Sequence, residues 1–338
     1  MPPAHRILAA VCVLAAVAPA QPALAWGATG HRIIGMEGVR ALPADLPAFL
    51  RQPEAIETAG ELSREPDRSK GSGRVHDSLR DPAHFFNVDD QGRIAGGPAL
   101  SALPPTRAEF DNALHAVNAD STHLGYLPYA IIDGWQQLTK DFAYWRVLTA
   151  AIPRERDAVR KAWMQHDLAR RETLTLHDLG VWSHFVGDAS QPMHVSVHYN
   201  GWGDYPNPHG YTLARVHGPF EGAFVHANVD AAAVRAAMTP PDPCGAPIEA
   251  CAARYLAATL ATVEPFYALQ KAGGFVDGDA RGRVFAAARL AAAADELRDL
   301  TTSAWQASAH VSIGHPALSV DQVVNGGADP YDVLYGED

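Results

Sequence analysis

The chain has 338 residues, 47% of them apolar, with 27 Lys and Arg against 38 Asp and Glu and a formal net charge of −11. That length buries a large core without staples, which excludes a miniprotein scaffold. The acidic balance excludes binding to a polyanion through a broad basic patch, but not through bound metal ions, each of which adds about two positive units locally.

Arg6, an apolar run from Ile7 to Ala18 and small residues at Ala23 and Ala25 have the layout of a secretory signal peptide. Pro19 and Pro22 interrupt that run, which is too short to span a bilayer. Cleavage between Ala25 and Trp26 is therefore expected, leaving a secreted or periplasmic protein that begins at Trp26. No later stretch has the length and purity of a membrane span. Cys12 falls within the signal, and Cys244 and Cys251 are expected to pair in an oxidising compartment, with two free buried thiols as the alternative.

From Trp26 to Leu42 the apolar residues Ile33, Ile34, Met36, Val39 and Leu42 recur with helical spacing, and His31 sits near the start. Pro43 to Ile56 reads as a turn and a short helix. From Gly60 to Pro105, repeated Gly and Pro predict a long irregular loop that carries Asp67, Lys70 and His84. Helical pattern returns over Arg107 to Ala119, Tyr126 to Ala151, Arg154 to Arg171, Thr173 to Ala189, Glu221 to Ala237, Ala246 to Lys271 and Gly278 to Ala309. The fold class expected is all-α, with one large domain over 26–310 and an irregular tail over 311–338.

The chemistry concentrates in WSHFVGDASQPMH, Trp182 to His194. His184 and Asp188 stand four apart on one helix face, Gly187 and Ala189 keep that face low, and Pro192 ends the helix so that His194 turns in as a third donor. Two imidazoles and a carboxylate are a ligand set that zinc accepts, and three protein ligands leave a position open for water. His217 and Glu221 repeat the His/acid spacing after a loop rich in Gly, Pro and aromatic residues.

With those residues in view, the chain resembles the superfamily that joins bacterial zinc-dependent phospholipase C to the single-strand-specific zinc nucleases of plants and fungi. The resemblance runs from Trp26 to about Phe224 and rests on an ordered set: the WGATGH stretch of Trp26 to His31, Asp67, His84, His184 and Asp188, His194, then His217 and Glu221. It implies three zinc ions. Asp67, His84 and His184 would hold the first, Asp188 would bridge to a second also held by His31 and by the α-amino nitrogen and carbonyl of Trp26, and His194, His217 and Glu221 would hold the third. The Trp26 chelate would exist only after signal cleavage.

The activity implied is phosphodiester hydrolysis, with single-stranded RNA or DNA as the substrate preferred and phospholipid headgroups as the alternative. Asp67 and Asp188 would be catalytic, and Lys70 either stabilises phosphate charge or is a solvated loop lysine. Phe85 either stacks on a base or packs in the core. Glu221 matches the phospholipase branch, whereas WGATGH matches the nucleases. Trp202, Tyr205 and Tyr211 offer the phospholipid alternative an aromatic loop suited to an interface. A non-catalytic zinc-binding envelope protein is the third possibility. No stable protein partner is expected, and the chain is expected to act as a monomer. The ten histidines outside the set, His177 among them, are read as packed or exposed, with His177 near enough on its helix face to support a ligand as the alternative.

Overall fold

The computed structural model describes residues 26–336, so the signal-peptide reading lies outside the described residues. The fold is mainly α-helical with one two-stranded sheet. In chain order the first helices are α1 (Gly27–Arg40), α2 (Pro53–Leu62), α3 (Glu65–Ser69), α4 (Arg74–Arg80), α5 (Arg107–His115) and α6 (Ser121–Leu124). Two long helices follow, α7 (Leu127–Ala151) and α8 (Ala158–Asp188), then α9 (Val225–Asn228), α10 (Ala231–Ala237), α11 (Ile248–Leu260), α12 (Val263–Lys271) and α13 (Ala280–Ala307). The chain finishes with the hairpin β1 (Ser312–Ile313) and β2 (Leu318–Ser319), α14 (Val320–Val324) and α15 (Tyr331–Tyr335).

Local chemistry explains the starts and stops. Thr106 and Glu109 close a capping box on α5, and the Asp157 carboxylate accepts from the Val159 and Arg160 amides to start α8. Beyond Asp188 the chain passes into a 3-10 turn, Pro192–His194, because Pro192 has no amide hydrogen to extend a helix.

The Gly60–Pro105 stretch is more regular than expected. It holds α3, α4 and 3-10 turns at Asp81–His84 and Leu100–Ala102, because Pro66 and Pro82 sit in first turns, where proline starts a helix rather than breaking it. The two helices expected between Arg154 and Ala189 are one, α8, since nothing at Glu172 interrupts the hydrogen-bond ladder. Conversely, the Glu221–Ala237 helix is broken after Asn228, where Asp230 caps a new one, and the Ala246–Lys271 helix is broken at Ala261 and Thr262.

The tail beyond residue 310, expected to be irregular, is folded through β1, β2, α14 and α15. Ile313, Val320 and Val323 are buried with Val147, Leu148 and Ala151 of α7, at about 1.5–3 kcal/mol for each fully buried side chain. Arg154 secures α14 by donating to the Val323 and Val324 carbonyls at 2.6 and 2.5 Å.

α1 packs against α2, α8 and α13. Small residues permit this approach: a Cβ on Gly35 would lie 2.8 Å from the Ala59 carbonyl oxygen, and one on Gly38 would lie 2.7 Å from Leu297 Cδ2. That placement brings His31 against the last turn of α8. Among the described residues no helix is long and apolar enough to cross a membrane. The sulfurs of Cys244 and Cys251 are at disulfide distance, with Cα atoms 6.1 Å apart, at the entry to α11.

Candidate metal centre

The last turn of α8 presents His184 and Asp188 from one face, both fully buried. His31 of α1 stacks on His184, ring centres 3.8 Å apart, and its Nε2 lies 3.4 Å from Asp188 Oδ1. The Asp81–His84 turn delivers His84, whose Nδ1 is 3.0 Å from Asp188 Oδ2 and 2.9 Å from His184 Nε2. Asp67, half-buried on α3, completes the arc with Oδ1 3.8 Å from His184 Nε2. Gly187 keeps the approach open, since a Cβ there would sit 3.2 Å from His31 Nδ1.

A second constellation lies alongside. His217 Nε2 is 2.7 Å from Glu221 Oε2, and His194 Nε2 is 3.7 Å from the same oxygen. The segment carrying Glu221 is a π-helical turn, Pro219–Phe224, rather than the regular helix expected there.

Backbone carbonyls set the tautomers of two rings. Ser63 O faces His184 Nδ1 at 2.8 Å and His84 O faces His194 Nδ1. A carbonyl only accepts, so both Nδ1 atoms carry the proton and both Nε2 lone pairs point inward. The remaining atoms fit the same picture. Both His31 nitrogens, Asp67 Oδ1, Asp188 Oδ1, His194 Nε2, His217 Nε2 and Glu221 Oε1 are buried without a hydrogen-bond partner. Unpartnered buried polar atoms on this scale are costly in a folded core and call for something bound between them. The donors form three groups that could each hold a metal ion: His31, His184 and Asp188; Asp67, His84 and His184; and His194, His217 and Glu221. Within each group the ligand atoms lie within 4.8 Å of one another.

Protonation follows from burial and charge. Burial, with His184 nearby, holds the His31 imidazole well below its ordinary value, and burial brings His84 down to about 4. Burial also pushes the two carboxyls up, but His184 and His194 hold Asp188 well below the usual range, and His217 and His194 hold Glu221 at about 2. Burial lowers His194 less than Asp188 and Glu221 raise it. Neutral His31 and His84 beside ionised carboxylates are the state a metal ion requires.

Comparison with known protein families, curated proteins and solved structures finds no match. The donors themselves carry the chemistry. All eight His, Asp and Glu residues expected as ligands converge in these groups, and His184 takes part in two of them. Trp26 is fully buried behind the site, its indole N–H donating to Gly187 O at 2.8 Å and to Ser190 Oγ at 3.0 Å. The Trp26 carbonyl already accepts from Gly30 N at 3.1 Å, so a further role as a ligand would use its second lone pair.

A cleft of about 460 Å³ borders the centre, lined by His84, His194 and His217 with Lys70, half-buried Phe85 and Tyr199. Lys70 Nζ forms an ion pair with Asp67 Oδ1, 2.6 Å apart, without hydrogen-bond geometry. Phe86, by contrast, is fully buried. His177 is exposed and pairs with Asp178 rather than supporting a ligand. Of the aromatic loop, Trp202 and Tyr211 are buried in the core and only Tyr205 is exposed. Three orienting groups had no signal in the motifs: the Ser63 carbonyl, the His84 carbonyl, and Gln191, whose amide donates to Glu221 Oε2 at 3.0 Å.

Proposed function

We propose that the protein is an exported zinc-dependent phosphodiesterase that cuts single-stranded RNA or DNA. The observation that carries the reading is the set of three buried donor groups bordered by a cleft with a lysine and an aromatic ring on its wall. Imidazole nitrogen and carboxylate oxygen without thiolate suit zinc, and the residues of each of the three groups would hold one ion. When bound, the ions supply an acidified water and positive charge for phosphate oxygens.

The chain's own groups do the rest. Asp67, held by Lys70, accepts the proton of the attacking water at its carboxylate. Lys70 holds a non-bridging phosphate oxygen. Phe85 stacks on a base without regard to sequence, since every base has a π face. The α-amino group of Trp26 would join the His31, His184 and Asp188 group once the signal is cut.

The test is nucleotide release from single-stranded DNA and RNA by mature protein beginning at Trp26, zinc-loaded, against a chelator-treated control. Zinc-dependent release supports the reading, and equal release in both samples overturns it. A phospholipid substrate is favoured by one observation. α4, flanked by the cleft residues Lys70 and Asp81, leaves Val75 72% and Leu79 57% exposed. Release of phosphocholine from phosphatidylcholine vesicles, without nucleotide release, would favour that substrate.

A further inference from the structure

His84 lines two clefts. Besides the one that holds Phe85, it contributes to a larger cavity of about 670 Å³ between α3, α7, α8 and the Asp81–His84 turn. Its wall is apolar where Ala83, Ala130, Val181, Trp182 and Phe185 meet. Trp182 lies against Gly134 so closely that a Cβ there would fall 1.9 Å from Trp182 Cδ1, which fixes that wall in place.

Two guanidiniums stand at this cavity. Arg107 lies over the Tyr126 ring, 3.5 Å from its centre, and its nearest carboxylate, on Asp111, is 4.0 Å away. Arg80 is exposed, and its side chain makes no hydrogen bond or ion pair among the described residues. The acidic groups facing the cavity are largely engaged. Glu65 is paired with Arg68, and Asp178 accepts from Gln137 at 3.0 Å and pairs with His177 at 2.9 Å. Asp133 is pushed up by burial, against the pull of Arg107.

We infer that this cavity is a second nucleotide subsite, holding the base next along the strand from the one at Phe85, with Arg80 and Arg107 on the intervening or following phosphate. The inference rests on the nuclease reading and deepens it: the substrate is a strand of at least two nucleotides that straddles His84, not a mononucleotide ester. The volume is in the range of small-molecule sites and accommodates a nucleoside. The mixture of walls selects the ligand class. A flat base has a π face for the apolar wall and a polar edge for the Nε2 of His177, whose Nδ1 faces Asp178, and its phosphate answers the cations. An acyl chain would fill the apolar part and offer no anion to Arg80.

The experiment compares the zinc-loaded mature protein with Ala130→Phe, which fills the cavity, and with Arg80→Ala, which alters only an exposed side chain. Two measurements are made: the KM for a thymidine tetranucleotide relative to that for bis(p-nitrophenyl) phosphate, and binding of a fluorescent phosphorothioate tetranucleotide that resists cleavage. The KM ratio is expected to rise about tenfold in each variant, the effect of one lost stacked base or phosphate contact, and binding is expected to weaken about as much. An unchanged ratio in both variants, with wild-type cleavage intact, overturns the subsite and leaves the hydrolase standing. Wild-type binding without cleavage, weakened in both variants, supports the subsite and removes the hydrolase. Neither binding nor cleavage removes both. Displacement of a bound probe by dihexanoyl phosphatidylcholine but not by unlabelled tetranucleotide assigns the cavity to acyl chains and overturns the proposal.

Discussion

The donor group around Asp188 and the one around Glu221 use the same chemistry on different scaffolds. The Asp188 group takes His31 from the first turns of α1 and His184 from the end of α8, two helices locked by close-packed glycines. The Glu221 group takes His194 from a 3-10 turn and its other members from one short helical segment, His217 at its start and Glu221 in its π-helical turn, and both of its histidines line the cleft. The inner group is part of the core and the outer one part of the cleft wall. Their loss should therefore be felt differently: the first in metal content and folding together, the second in metal content and turnover.

Asp188→Ala is the most severe test, because three imidazoles share that carboxylate. Hydrolysis is expected to fall about a thousandfold, the upper end for losing one electrostatic stabiliser, together with both inner metal equivalents by elemental analysis. Full activity or unchanged stoichiometry would remove the shared-carboxylate scheme. His217→Ala should cost less: one metal equivalent and about a hundredfold in rate, with the inner group still loaded. Equal loss from both groups would erase the distinction between them.

Gln191→Leu probes the outer group's support. Removing the amide that donates to Glu221 is expected to weaken one metal equivalent about tenfold in a competition titration and leave the others unchanged. The smallest effect expected is on the pH dependence of the metal-free protein. His84 titrates at about 4 when folded against 6.5 unfolded, so the unfolded chain takes up protons first and stability is lost as pH falls from about 6.5 to about 4. Asp188 and Glu221, both depressed, add loss of the same sign at lower pH. His194 is raised, and its contribution is present below 6.5 and fades as pH rises above that. His84→Gln should flatten the acid limb of the melting curve by a few degrees, and an unaltered limb would show that His84 is not buried neutral.

The part of the site legible in the sequence was the part carried by side chains at helical spacing. His184 and Asp188 had to share a face, and His217 and Glu221 kept their pairing even though their segment is π-helical, because four residues still return the chain to nearly the same side. Ser63 was not legible, since it acts through a carbonyl that every residue possesses. The boundary expected near Glu172 does not exist, because α8 continues through it with its hydrogen-bond ladder unbroken. The tail was missed because Val320 and Val323 form too short a pattern to declare their packing on α7.

His84 belongs to one donor group by its ring, and by its carbonyl it aims His194 of the other. The peptide nitrogen of Phe86 in turn donates to His194 O at 2.7 Å, closing the two strands of chain against each other. The distance between the two groups is thus ruled off by a bond between main-chain atoms, Phe86 N to His194 O, which no exchange of side chains removes. Substitution can retune either group's affinity, but the gauge between them belongs to the fold.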